Sequence, residues 1–344
     1  MSDPSAVALS ALLAVPAARV GPLTQIRERL LAAERVVLTT HVNADGDGIG
    51  AEVAVAAWLE ARGLGVTIVN PTPFPDAYRF LLYRAGLVAE LDEPAADEAL
   101  QRADLVFVLD TSEPRRVEAL LPWLTPERTL VMDHHPPGPE CVGTLALRDE
   151  TAAATGELVY DLLTLAGDAW PSAAVLGAYV ALVFDTGSFR HGNTTPRVHL
   201  IAAELMRRGV DPEEVYRRLF GSLPLRRIHL LRSALGSMRC EDDICWMLVP
   251  NQAVEEVAAT PEDLDGLVEY ARSVEGTEVA ILFRETAEGH TKMSLRSNGG
   301  VDVNRVARQF GGGGHVKASG ALVEEPPPQV VPRVLAAVRE ELGE

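Results

Sequence analysis

At 344 residues the chain is too long for one core of ordinary size, and two domains are expected. Hydrophobic residues make up 47% and charged residues 23%, which excludes a disordered chain. A net charge of −18 excludes a broad basic surface for gripping long duplexes; a local basic pocket for a short ligand is still compatible with it. No uninterrupted apolar run of about 20 residues appears, so no membrane span is expected. The segment through Val15 lacks a basic leader region, and the cytoplasm is the expected compartment. The cysteines, Cys141, Cys240 and Cys245, are odd in number and irregular in spacing. They are read as small buried or half-buried residues, not as a disulfide framework or a zinc site.

In chain order, an amphipathic segment from Leu23 to Ala33 leads into the β-branched run from Arg35 to His41, a buried strand. After the Gly46/Gly48 turn, Ile49, Val53, Ala56 and Ala57 repeat at helical spacing up to Glu60, and Gly63 and Gly65 end that helix. Val66 to Val69, Asp104 to Leu109 and Thr129 to Met132 are further strands, with helical patterns between them. Strands alternating with helices predict an α/β fold, with an N-terminal parallel sheet flanked by helices. Thr151 to about Leu235 is mostly helical, most clearly at Pro196–Arg208, Pro212–Phe220 and Leu225–Leu235. Strand patterns return at Ile244–Val249, Glu278–Phe283 and Lys292–Arg296, followed by a short helix from Asp302 to Phe310 and a last helix beginning near Val331. A catalytic domain over 1–205, a helical linker over 206–236 and a smaller α/β domain with a mixed sheet over 237–344 are expected.

Four places carry chemistry. His41, Asp45 and Asp47 fall within seven residues on one glycine-rich turn between a strand and a helix, where open metal sites of α/β sheets form. The competing reading is an Asx-rich loop with Asp47 capping the helix; it leaves His41 unexplained. Asp110 closes the strand Leu105–Leu109, where a lone aspartate is also a common turn residue. Asp133-His134-His135 follows another apolar strand; neighbouring strand residues face opposite ways, so they converge only if the chain turns, as Pro136 and Pro137 require. Asp185 ends an apolar helical run that begins near Val175, where it could instead cap local amides. Oxygen and imidazole ligands without cysteine suit Mn²⁺ or Mg²⁺. His41, Asp45, Asp47, Asp110, His134 and Asp185 make up the number of ligands that a two-metal site with a bridging carboxylate requires.

In this order the segments resemble the DHH phosphoesterase family, named for the triplet present here as Asp133-His134-His135. The stretch from His41 to Asp47 is similar to that family's H-x-x-x-D-x-D motif, and Asn298 to His315 looks like the glycine-rich signature of the DHH-associated substrate domain. Within the family the likeness is to NrnA-type oligoribonucleases and 3′-phosphoadenosine 5′-phosphate (pAp) phosphatases; RecJ exonucleases share the motifs but are usually longer. The resemblance implies one metal on His41, Asp45 and Asp110, and another on Asp47, Asp110, His134 and Asp185. Asp110 would bridge the two, and His135 would lie beside the scissile phosphate, making Asp110 and His135 catalytic.

The implied function is a two-metal Mn²⁺ (or Mg²⁺) phosphodiesterase and phosphatase. It would degrade short RNA or DNA oligonucleotides and linear dinucleotides such as pGpG or pApA to 5′-mononucleotides, and dephosphorylate pAp. Alternatives are a cyclic-di-AMP phosphodiesterase and a RecJ-like single-strand exonuclease, and from another class a noncatalytic nucleotide-binding protein. A homodimer is implied as well.

Residues 284 to 320 hold six Lys/Arg against three acids, a local excess of positive charge in an acidic chain. Arg296 offers a bidentate fork for phosphate, Gly312, Gly313 and Gly314 offer amides without side chains, and His315 adds a donor. Arg116, or its neighbour Arg115, could reach a phosphate near Asp110. Tyr83, Phe189 and Phe220 could stack on bases, with core packing as the competing reading.

Overall fold

The computed structural model describes residues 9–138, 140–167, 169–221 and 223–343. The chain divides into two units, Met1–Gly221 and Ser222–Glu344. The first opens with α1 (Leu9–Leu12) and α2 (Ala17–Leu31), then β1 (Arg35–Thr39), α3 (Gly46–Glu60), β2 (Gly65–Ile68), α4 (Pro94–Arg102), β3 (Leu105–Leu109), β4 (Thr129–Asp133) and β5 (Leu145–Arg148). The strands form one sheet in the order β2-β1-β3-β4-β5, every neighbouring pair parallel. Alternate residues explain the near-continuous apolar strands. Leu38, Phe107 and Met132 face one core, while Val37, Val106, Val108 and Val131 face the other. The weakly apolar strand β5, at the sheet edge, escaped the sequence pattern.

The first core is closed by α3, α5 (Thr155–Ala166) and α6 (Ser172–Asp185), and α7 (Pro196–Arg207) and α8 (Pro212–Phe220) complete the unit. Helix α3 is buried all round, so apart from Asp47 and Glu52 its buried residues are small or apolar on every side and it is not amphipathic. It crosses α6 at backbone distance. A Cβ added at Gly50 would lie 2.5 Å from the Gly177 carbonyl oxygen, and one at Gly177 would lie 2.5 Å from that of Gly50. Only glycine fits there, and the crossing fixes where the N-terminus of α3 and the C-terminus of α6 deliver their aspartates.

The second unit contains α9 (Leu225–Gly236), β6 (Arg239–Glu241), β7 (Ile244–Val249), α10 (Asn251–Glu256), α11 (Val268–Arg272), β8 (Val279–Glu285), β9 (Thr291–Ser297), α12 (Val303–Gln309), β10 (Gly313–His315), β11 (Ala318–Val323) and α13 (Pro327–Leu342). Its sheet runs β10-β11-β9-β8-β7-β6 and is mixed, because β7 and β8 are parallel and the other pairs antiparallel. Two expectations are corrected. The last helix starts at Pro327 instead of near Val331: a proline at the first helical position loses no hydrogen bond, so the proline run is a start signal. Cys240 and Cys245 are joined as a disulfide, because the β6–β7 register places them opposite one another.

Candidate metal centre

Parallel strands that end together gather whatever follows them at one edge of the sheet. His41 lies just past β1, Asp110 directly follows β3, Asp133 ends β4 with His134 next to it, and Asp185 is the last residue of α6. Asp45 caps α3: its Oδ1 accepts the N–H groups of Asp47 (3.0 Å) and Gly48 (3.3 Å). The capping role read for Asp47 therefore belongs to Asp45, and Asp47 is turned inward and fully buried. Asp110 holds a left-handed φ of +63°, uncommon for a residue with a side chain and of the kind that clusters at functional sites.

Six predicted ligand residues converge into two linked groups. His41 Nε2 lies 3.3 Å from Asp110 Oδ2 and 3.8 Å from Asp45 Oδ2. His134 Nε2 lies 3.1 Å from Asp185 Oδ2, 3.4 Å from Asp110 Oδ1 and 3.5 Å from Asp47 Oδ2. One ligand atom from each of His41, Asp45 and Asp110, and likewise from Asp47, His134 and Asp185, falls within 4.8 Å of the others in its set. Asp110 thus turns one oxygen toward each histidine. Both Nε2 atoms are buried, yet neither makes a well-directed hydrogen bond. His41 Nδ1 lies 2.8 Å from the Val42 carbonyl, which can only accept, so Nδ1 carries the proton and Nε2 offers a lone pair inward.

The electrostatics fit a cationic occupant. Asp45, Asp47, Asp110 and Asp185 bring four carboxylates to one place, a charge that two divalent cations neutralise. Burial, together with neighbouring Asp110, raises Asp45 to about 6 and lifts Asp47 well above the usual carboxylate range. Burial disfavours the Asp110 anion, but His134 and His41 beside it outweigh that and hold its pKa below the ordinary value. Burial would lower His134, whereas Asp110 and Asp185 push it up to about 12. His41 also rises, burial being overridden by Asp110. Protons here stand where cations would bind.

His135 forms a third set with Asp110 and His134, one ligand atom from each within 4.8 Å of the others, but its nearest partner is Asp133. Its Nδ1 lies 2.9 Å from Asp133 Oδ1 and 3.7 Å from Asp110 Oδ1, and its amide donates to the same Asp133 oxygen at 3.0 Å. Arg116 sits in the turn whose carbonyl accepts from Val42 N–H at 2.8 Å, half-buried and near enough to His41 to oppose its protonation. Arg115 is exposed and paired with Glu113 at 2.6 Å.

In the second unit Arg296 is partly committed to Glu269 at 3.1 Å. Gly312 and Gly314 have a packing reason of their own. Added Cβ atoms would lie 2.1 Å from the Gly320 carbonyl oxygen and 2.6 Å from that of Ala318, whereas at Gly313 the nearest atom is 3.8 Å away. The side chain of His315 lies outside the described residues. Tyr83 is bonded to Glu60, Phe189 packs between Tyr179 and His199, and Phe220 packs on Tyr216, so each aromatic has a structural partner.

Sequence reasoning missed the N-terminus of α5. The amides of Thr155 and Gly156 donate to Asp47 at 2.6 and 2.8 Å, and the Thr155 hydroxyl donates to Asp110 at 2.9 Å. The short Thr155-Gly156 pair has no local signal, because its partners lie 45 to 109 residues away.

Carboxylates and imidazoles paired about a shared aspartate, at one edge of a parallel sheet, are the kind of donor set that a metal-dependent phosphoesterase centre requires. The chain belongs to the DHH family. The DHH family, N-terminal domain model matches residues 35–182, and the DHHA1 domain model matches residues 250–344. It is 35% identical to the bifunctional oligoribonuclease and PAP phosphatase NrnA of Thermus thermophilus, over 92% of this chain and 93% of that protein. It is 24% identical to the protein of the same name from Bacillus subtilis, over 87% of this chain and 93% of the relative. An exopolyphosphatase-related protein from Bacteroides fragilis has the same fold, with a TM-score of 0.87 at 24% identity, covering 93% of this chain and 96% of that one.

Proposed function

We propose that this chain is a two-metal phosphodiesterase and phosphatase that degrades short oligonucleotides to 5′-mononucleotides and releases phosphate from pAp. The observation that carries the reading is Asp110, which turns Oδ2 toward His41 and Oδ1 toward His134, 3.3 and 3.4 Å away, as a ligand shared by two cations must. The likeness to the two NrnA proteins supplies the substrate class.

His41, Asp45 and Asp110 would hold one cation, and Asp47, Asp110, His134 and Asp185 the other. When bound, the pair supplies an activated water and positive charge for the phosphoryl oxygens. His135, oriented by Asp133, presents Nε2 to the scissile phosphate or the leaving oxygen. Arg116 adds fixed positive charge beside His41. Arg296, Gly312, Gly313, Gly314 and His315 are assigned to substrate binding; their support is the local basic excess in an acidic chain. Manganese as the working metal, cytoplasmic residence and a homodimer belong to the same proposal. Leu225 and Ile228 on α9 supply exposed apolar surface for a partner; sedimentation in solution tests the dimer.

The deciding assay measures hydrolysis with Mn²⁺ or Mg²⁺ on 5′-phosphorylated RNAs from the dinucleotide upward, with pAp and cyclic dinucleotides alongside. Turnover should be highest on the shortest linear RNAs, with phosphate released from pAp. Asp110→Ala should abolish both while leaving the chain folded. Full activity in that variant would end the shared-ligand reading, and preference for cyclic dinucleotides would replace the substrate assignment.

A further inference from the structure

The first turn of α5 reaches the metal centre through three short hydrogen bonds. The Thr155 amide donates to Asp47 Oδ2, the Gly156 amide to Asp47 Oδ1, and the Thr155 hydroxyl to Asp110 Oδ1. One residue therefore touches two carboxylates that come from different elements, Asp47 in α3 and Asp110 after β3. Thr155 is fully buried, so these bonds have no competition from water. Helix α5 has no side-chain cap of its own at Ala154, and its open amides are satisfied by Asp47 from across the fold. Gly156 leaves no freedom to shift, since a Cβ there would lie 2.4 Å from Ala181 Cβ in α6.

This turn is itself gripped from behind. Glu157 accepts the Ala153 amide through Oε2 at 3.0 Å, and its Oε1 takes Arg19 at 2.7 Å and Arg197 at 2.6 Å. Arg19 also reaches Asp161 (2.8 Å) and Asp149 (2.6 Å), and Arg197 forks onto Asp161 as well. Arg19 and Glu157 are 3% exposed and Asp161 is 0% exposed. Burying Arg19, Glu157 and Asp161 is costly unless each is paired, and here all are, with the half-buried Asp149 and Arg197 completing the network. The two arginines lie on α2 and α7, outside both segments that the family models match.

We infer that Thr155 is a positioning residue which ties Asp47 to Asp110 and so sets the distance between the two cation positions, and that Arg19 and Arg197 hold Thr155 in register through Glu157. The inference rests on the two-cation reading given above. Outer-shell partners of metal ligands fix their orientation, and their loss costs roughly 10–100-fold in metal affinity or activity.

The test is Mn²⁺ binding to the full-length chain by calorimetry, with circular dichroism and metal-free thermal unfolding as controls on folding. Thr155→Val keeps the shape and the amide but removes the hydroxyl. It should raise the Mn²⁺ dissociation constant roughly 10–100-fold. Thr155→Ser should restore affinity close to that of the parent. Arg19→Lys keeps the charge but loses the fork, and should weaken Mn²⁺ in the same direction. A folded Thr155→Val with parental affinity overturns the proposal. If Thr155→Val does not fold, parental affinity in folded Arg19→Lys overturns it. Failure of the parent to bind Mn²⁺ or Mg²⁺ would instead remove the two-cation reading itself.

Discussion

His135 and Asp133 form a pair at the edge of the candidate metal centre: Nδ1 of His135 lies 2.9 Å from Asp133 Oδ1. His135 outweighs burial in holding the Asp133 carboxyl below its usual pKa, so the carboxylate accepts and Nδ1 keeps the proton. That fixes the tautomer and leaves Nε2 free for the role proposed for it on substrate. Asp133→Asn keeps the shape but can offer Nδ1 a donor, which turns the ring or reverses its tautomer. The kcat should fall about 10²-fold or more, the usual contribution of a placed acid–base group, while Mn²⁺ affinity stays parental. Steady-state kinetics with metal titration checks this, and a matching loss of metal affinity would move Asp133 into the ligand framework.

The Gly50–Gly177 contact connects packing to chemistry, because α3 carries Asp47 and α6 ends at Asp185. Gly177→Ala must separate helices whose backbones approach to within 2.5 Å of the added carbon. Overpacking of this kind costs typically about 1–3 kcal/mol. Urea unfolding should show that loss, and Mn²⁺ affinity should fall with it because Asp185 moves away from Asp47. A destabilised Gly177→Ala that binds metal like the parent would show that the crossing does not set the ligand distance.

What the sequence made legible follows from the range of the forces involved. β3 and β4 are runs of five buried residues and β1 has four after the exposed Arg35, with apolar character on both faces, and such runs announce themselves locally. The proposed ligands His41, Asp110 and His134 were visible because they interrupt those runs at their ends. Thr155 was not visible, since a common residue at a helix start gains its meaning only from Asp47 and Asp110 far away in the chain. The Cys240–Cys245 bond depends on strand register, and α13 begins with a proline that reads equally well as a break. Arg19 was passed over for a related reason: its three acidic partners lie 130 to 142 residues further on.

Arg296 gives a prediction that separates binding from chemistry. Its guanidinium shares Glu269 with Arg272, both 3.1 Å from that carboxylate, so part of its charge is neutralised at rest. Arg296→Ala should raise KM several-fold with kcat nearly unchanged, because the interaction proposed for it is the same in ground and transition states. Glu269→Gln should lower KM by releasing the fork. A large loss of kcat in Arg296→Ala at constant KM would contradict a docking role.

Glu52 yields a prediction about pH. It is buried within α3, with Asn70 Nδ2 as its donor at 3.1 Å, and Asn70 Oδ1 in turn accepts the Thr40 amide at 3.1 Å, one residue before His41. Burial raises its pKa from 4.5 to about 8, against the opposing effect of the Asn70 bond. The folded chain therefore holds this proton more tightly than the unfolded chain. The resulting stabilisation is complete below the unfolded value of 4.5 and is lost as pH rises through about 8. Glu52→Gln cannot ionise, yet it keeps an oxygen for Asn70. With Mn²⁺ saturating, so that the neighbouring aspartates and histidines do not titrate, the variant's stability relative to the parent should increase from mildly acidic to mildly alkaline pH. Urea midpoints across that window measure the difference. Parallel pH profiles for parent and variant would mean that Glu52 ionises in the folded chain as readily as in water, and that Asn70 and Thr40 are held in place by something other than a neutral carboxyl.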